Sequence, residues 1–403
     1  MKTQTTTLPQ LGEILRRELE EHVLPFWWRH ALDEEQDGLL NCMDETGNRL
    51  GTDKFMWSQL RGLWVFSTLA ARGGAGEAEN RKFADSLFRF CRSHGRNGAG
   101  ECVFCVSRTG EVRPHPASIF TDGFAMLGLA AYLTLTGDED CRQLLRQTVV
   151  SVQARLAVPG SYGIHPYVLP PGARNMGIAM LFSLAFWEAG EALGDAALRR
   201  QSLAFADEIL GVFYSAEDNA VREFVRQDGG PLEGWQGRCC VPGHVIEGLW
   251  AVIRLYRAAG RTDGIARCVE LIRRHLELGW DQEFGGVTLA IDLDDRPSQW
   301  NYATYKPWWT SVETMYGLLL AYRESREPWC LEWYARVHNW AFTHYPVRPH
   351  GEWRNRLNRE GQPTTDIIGL PVKDPFHLPR ALLYCGDVLR ELADDRATLS
   401  LVR

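Results

Sequence analysis

The sequence predicts an all-α fold, an (α/α)6 barrel with short β-hairpin insertions at one mouth. Three observations predict it. About twelve segments repeat apolar residues at the 3.6-residue spacing of a helix. Short β-like pieces with glycine-containing turns fall between pairs of these segments. The pairs recur with a period of roughly 60 residues, and six such hairpins can close into a ring. An open α-solenoid is the competing architecture, but long irregular hairpin insertions fit a solenoid poorly.

The first helical segment, 8–28, carries Leu11, Ile14, Leu15, Leu19, Val23 and Trp27 on one stripe. Asp53 opens a second helix that reaches Leu69, and Asn80 starts a third. The rest are expected near 118–136, 138–156, 174–193, 196–214, 242–259, 262–278, 308–323, 328–342 and 376–392. Most begin near Asp, Asn, Ser, Thr or Pro, which cap or preset a first turn. Hairpins are expected at 38–50, 101–112, 285–293 and 351–362, with tips such as Glu45-Thr46-Gly47-Asn48 and Asn358-Arg359-Glu360-Gly361.

Composition narrows the function. The 403 residues are 45% apolar, with no Ser/Pro/Gly-rich linker and no charge block, so one domain is expected over 1–403. A net charge of -7 without a basic stripe argues against nucleic acid as a partner. The polar N-terminus lacks an apolar leader, which points to a cytoplasmic protein. No apolar run is expected to approach the roughly 18 residues of a membrane span. The ten cysteines are expected as reduced thiols, with Cys102, Cys105, Cys239 and Cys240 serving packing. Fifteen tryptophans suit either a core or a pocket that stacks on the C–H faces of a sugar.

Two histidines draw attention. His244 follows Pro242-Gly243 at a helix start with Glu247 at i+3, a spacing that would set the carboxylate beside the ring and raise its pKa. His377 sits between Phe376 and Leu378, with Lys373 and Arg380 close by. Either ring could equally be a capping or core histidine. Arg61 shares a helix face with Trp57, Leu60 and Trp64, where it would be stacked and paired or aimed at a ligand oxygen. Lys306-Pro307-Trp308-Trp309 with Glu313 marks another helix start, and either tryptophan could stack on a ring. The acidic runs at 33–38 and 280–286 read mainly as turns. No Walker loop, dinucleotide fingerprint, nucleophile elbow or zinc spacing occurs.

These motifs, in this order, resemble the N-acylglucosamine 2-epimerase family, which includes cellobiose 2-epimerases and mannose-type aldose–ketose isomerases. The matching residues are Lys54, Trp57, Gln59, Arg61 and Trp64, then Pro242-Gly243-His244 with Glu247. They continue with Trp280-Asp281, Lys306 with Trp308-Trp309, Glu352-Trp353, and Phe376-His377 with Pro379-Arg380. The resemblance implies an (α/α)6 barrel. It also implies that His244 and His377 act as acid and base at C2 of an open-chain sugar, with Arg61 on its oxygens and Glu247 in support. Substrate contacts are expected from Trp308, Trp309, Trp57, Glu313, Arg238 and Lys373. Such chemistry needs no metal or cofactor. The partner would be a mono- or disaccharide, with no membrane, and the chain would form a homodimer. Epimerisation is the first expectation and aldose–ketose isomerisation the alternative. A glycoside hydrolase using Asp281 or Glu283 with Glu313, or a non-catalytic sugar binder, are the rivals.

Overall fold

Thr7 starts the first helix with a capping box. Its side chain accepts from the Gln10 N–H, and the Gln10 side chain accepts from the Thr7 N–H. In this computed structural model, which describes residues 3–74 and 76–402, α1 (Leu8–Arg17) passes through a π-helical turn at Glu18–Val23 into α2 (Leu24–His30). Eleven more α-helices follow among the described residues: α3 (Met56–Arg72), α4 (Glu77–His94), α5 (Ile119–Thr136), α6 (Glu139–Leu156), α7 (Met176–Leu193), α8 (Ala196–Gly211), α9 (Pro242–Ala258), α10 (Ile265–Gly279), α11 (Trp308–Ser325), α12 (Pro328–His344) and α13 (His377–Glu391). Three starts shift by three residues from the expectation, one of them α10, which begins at Ile265 rather than 262. Lys54–Phe55 is drawn into a strand, which delays α3 from Asp53 to Met56. The α4 helix begins at Glu77 rather than Asn80, with Glu77 and Glu79 favouring its positive end.

The odd-numbered helices from α3 to α13 form an inner ring in sequence order, and the others pack outside. Trp64 closes the ring by packing edge-on against Phe376 and Tyr384, and Arg72 pairs with Asp387 at 2.7 Å. Inner helices touch neighbours on every side, so α5 and α7 are apolar nearly all round. This corrects the expectation about long apolar runs. Both helices are long and apolar enough to cross a membrane by composition, and 78% and 67% of their residues are buried in the barrel.

The expected hairpins survive only as isolated bridges, such as Met43 with Arg49 and Leu357 with Pro363. Their strands mostly pair with the next repeat instead. Lys54–Phe55 pairs with Cys105–Val106, Ala173–Asn175 with Phe224–Arg226, Cys239–Cys240 with Ile291–Asp292, and Lys306–Pro307 with Arg356–Leu357. A bridge from Ser118 to Ile164 serves the α5–α7 junction. Ile367–Gly369 with Met43–Asp44 joins the last repeat to the first. This antiparallel belt ties the N-terminus of each inner helix to its neighbour and settles ring against solenoid. The chain ends add a pair absent from the expectation, Thr3–Thr7 with Thr398–Val402.

The acidic turns are structural and related to one another. Asp33 is buried against Lys54 (2.9 Å) and Arg108 (2.7 Å), and Asp281 against Lys306 (3.3 Å) and Arg359 (3.1 Å). Each turn closes on a glycine of positive φ, Gly38 or Gly286. A Cβ on Gly286 would lie 2.8 Å from Trp340. All ten cysteines are free thiols.

Candidate active site

Inner-helix N-termini open on one mouth, and two of them carry the histidines. Pro242 starts α9 without an N–H to satisfy, which puts His244 in its first turn. His377 is the first residue of α13. Both rings line a cavity of about 310 Å³ with Trp57, Arg61, Glu247, Trp308, Trp309, Lys373 and Arg380. Trp309 stands between them. Its ring stacks on His244 at 4.9 Å and lies 6.0 Å from His377. Trp308 meets His377 edge-on at 5.9 Å.

Arg61 is buried among three rings, 4.8 Å from Trp57, 4.1 Å from Phe124 and 4.9 Å from Phe376. Its Nη2 is 3.2 Å from Nε2 of His377. Asp374 stands behind it, 3.8 Å from Nη1 and 2.9 Å from the Ser58 hydroxyl. Burial raises the Asp374 carboxyl to about 6.

The environments push the two imidazoles apart. Burial, reinforced by Arg61, holds His377 well below its ordinary 6.5. Burial also works against a charge on His244, but the Glu223 carboxylate outweighs it and raises that ring above 6.5. Glu223 lies 3.3 Å from Nδ1 of His244 and is held by the Asn175 side-chain amide at 2.8 Å.

Several expected roles change. Glu247 lines the cavity but does not hold His244; its carboxylate accepts from Arg380. Glu223, from the belt segment before Phe224, takes that place. Glu313 is not at the cavity surface. It lies behind His377, accepting from Nδ1 (2.7 Å), Arg380 (2.7 Å) and the Trp250 indole (3.1 Å). Arg238 is not brought to the cavity. Its short 3-10 turn directs the guanidinium to Asp292 (3.0 Å) and the Gly234 carbonyl (2.9 Å). Lys373 lines the wall, its ammonium 4.9 Å from the Trp308 ring centre and 3.5 Å from Glu352. Neither Asp281 nor Glu283 reaches the cavity, so the carboxylate pair a hydrolase would take from them with Glu313 is not assembled. Glu247, Glu313 and His377 bring possible ligand atoms within 4.8 Å of one another, but the Arg380 guanidinium already binds both carboxylates.

The arrangement offers a neutral imidazole, an imidazole biased toward its charged form, and a guanidinium between aromatic walls. Such a set can move a proton next to a carbonyl and stabilise the oxyanion that results.

Known proteins agree with this reading of the fold. The family model described as N-acylglucosamine 2-epimerase (GlcNAc 2-epimerase) matches residues 38–378. The N-acylglucosamine 2-epimerase of Bos taurus is 29% identical over 415 residues, covering 99% of this chain and 96% of its own. The cellobiose 2-epimerase structure from Spirochaeta thermophila DSM 6192 superposes with a TM-score of 0.81 at 21% identity, over 96% of this chain and 98% of that one. A D-mannose isomerase structure gives 0.80 at 15% identity, over 94% and 98%. The chain belongs to the N-acylglucosamine 2-epimerase family.

Proposed function

We propose that this protein is a sugar 2-epimerase working by proton transfer at C2 of an open-chain sugar. The observation that carries the reading is two histidines on one cavity, with Arg61 3.2 Å from Nε2 of His377, the ring that burial holds neutral, and Glu223 3.3 Å from His244, the ring it biases toward charge. His377, neutral, takes the C2 proton through Nε2. The electron pair moves onto the carbonyl oxygen and gives an enediolate. Arg61, always charged and planar, turns its N–H groups from His377 to that oxygen. His244 returns a proton to the opposite face, and C2 inverts. Glu223 and Glu313 act through the histidines by fixing ring orientation at Nδ1. Trp309 and Trp308 give the sugar apolar surfaces. Family membership supports this reading, as does the name of the bovine relative.

Proton NMR of candidate sugars in heavy water tests it. Epimerisation should replace the C2 proton by deuterium as the epimer grows. Label at C1 of a ketose product would instead mean isomerisation from the same enediolate. Product formed without solvent deuterium would exclude this chemistry.

A further inference from the structure

Six cationic or titratable nitrogen side chains line the cavity, and five have a carboxylate partner. His244 faces Glu223 (3.3 Å), His377 faces Glu313 (2.7 Å), and Lys373 faces Glu352 (3.5 Å). Arg61 faces Asp374 (3.8 Å), and Arg380 joins Glu247 and Glu313. Arg356 is the exception. Among the described residues it forms no ion pair, and its Nε is buried without a hydrogen-bond partner.

Its position is well defined. Arg356 lies opposite Pro307 in the belt, beside the segment that opens into Trp308 and Trp309. Its guanidinium packs over Tyr302, 4.5 Å from the ring centre, and that tyrosine is exposed. Stacking holds the fork in one orientation and leaves its edge free. The neighbouring Asn355 also lines the cavity, and its side-chain amide makes no hydrogen bond among the described residues. An arginine cannot shed its proton to escape partial burial, and an unpaired charge drawn out of water is unfavourable. A ligand oxyanion would meet that demand with two parallel N–H···O bonds.

We propose that Arg356 recognises an anionic substituent, a phosphate or carboxylate, on the end of the sugar remote from C2, and that Asn355 shares the contact. This rests on the epimerase reading, in which the histidines and Arg61 take the C1–C2 end. The protein then acts on charged sugars in preference to neutral ones.

Calorimetric titration of wild type, Arg356→Gln and Arg356→Lys with glucose, glucose 6-phosphate and glucuronate tests this, repeated with the mannose-configured set. Wild type should bind the phosphate or the carboxylate arm about tenfold or more tighter than the neutral sugar, and the stronger arm identifies the group. Arg356→Gln should lose that preference and Arg356→Lys should keep part of it. Equal affinity for charged and neutral sugars, a preference that survives Arg356→Gln, or no binding of any charged sugar would overturn the proposal. The epimerase reading fails separately, by the absence of C2 deuterium exchange in a sugar that binds.

Discussion

Nη2 of Arg61 lies 3.2 Å from Nε2 of His377. Arginine only donates, so this nitrogen must carry a lone pair. The proton of the neutral ring is then on Nδ1, pointing at Glu313 at 2.7 Å. One guanidinium and one carboxylate thus fix the tautomer and aim a base into the cavity.

If the two histidines carry the proposed proton transfer, replacing either should remove C2 exchange. His377→Asn and His244→Asn should each lower kcat by about 10²–10⁴-fold. Both should keep the wild-type circular dichroism and melting temperature within a few degrees. Near-wild-type turnover in either variant takes that ring out of the mechanism.

The rate should stay flat across pH 6.5 rather than peak there. His377 keeps its base form well below 6.5, which places the acid limb of kcat/KM below that value. His244 keeps its proton above 6.5, which places the alkaline limb above it. Glu223→Gln removes the charge that raises His244, so the alkaline limb should move to lower pH. An unchanged limb would mean that Glu223 does not tune this ring.

Buried turns predict stability rather than activity. The Lys54 and Asp33 side chains are almost wholly buried against one another. Asp33→Ala leaves the ammonium with less compensation and should cost about 3–5 kcal/mol of unfolding free energy. Below the melting transition, kcat should be close to wild type. Urea unfolding measures the first and a steady-state assay the second; a large fall in kcat of folded protein would assign Asp33 a direct part in the chemistry.

Acid should destabilise the fold through two further histidines. His275 accepts from the Val221 N–H at 2.9 Å and donates to the Leu271 carbonyl at 2.7 Å, and His338 stacks on Phe342 at 4.0 Å. Burial lowers both to about 4 from 6.5. Between those values the unfolded chain binds more protons, so stability present above pH 6.5 drains away as pH falls toward 4. Each ring can contribute on the order of 3 kcal/mol. Urea midpoints should fall over that range, and His338→Leu should make the fall shallower. A midpoint independent of pH there would contradict it.

Much of the barrel was legible because outer helices such as α1 and α10 leave a local 3.6-residue signature, inner ones such as α5 and α7 read as long apolar runs, and capping residues such as Asp138 and Asp195 mark starts. The catalytic candidates His244, His377 and Arg61 were legible for a related reason: each sits at a fixed place on its own helix. Their partners were not. Glu223 and Asp374 reach the site from belt or pre-helix segments, and no local spacing reports a contact with a residue 21 or 313 positions away. The i+3 spacing of Glu247 does place a carboxylate that helps raise His244, but Arg380 takes its hydrogen bond and Glu223 holds the ring. Strand pairing was misread for the same reason, since a two-residue strand is set by its neighbour in the ring. The terminal pair left a faint signal, the alternation of buried Leu399 and Leu401 with exposed residues.

The most direct test is ¹⁵N NMR of the imidazoles across about pH 5–8, assigned with the His244 and His377 variants. His377 should remain neutral throughout, as the Nδ1–H tautomer, while His244 should lose its proton only above 6.5. If both rings titrate together near 6.5, or if His377 is charged at pH 6.5, the division of acid and base between them is wrong.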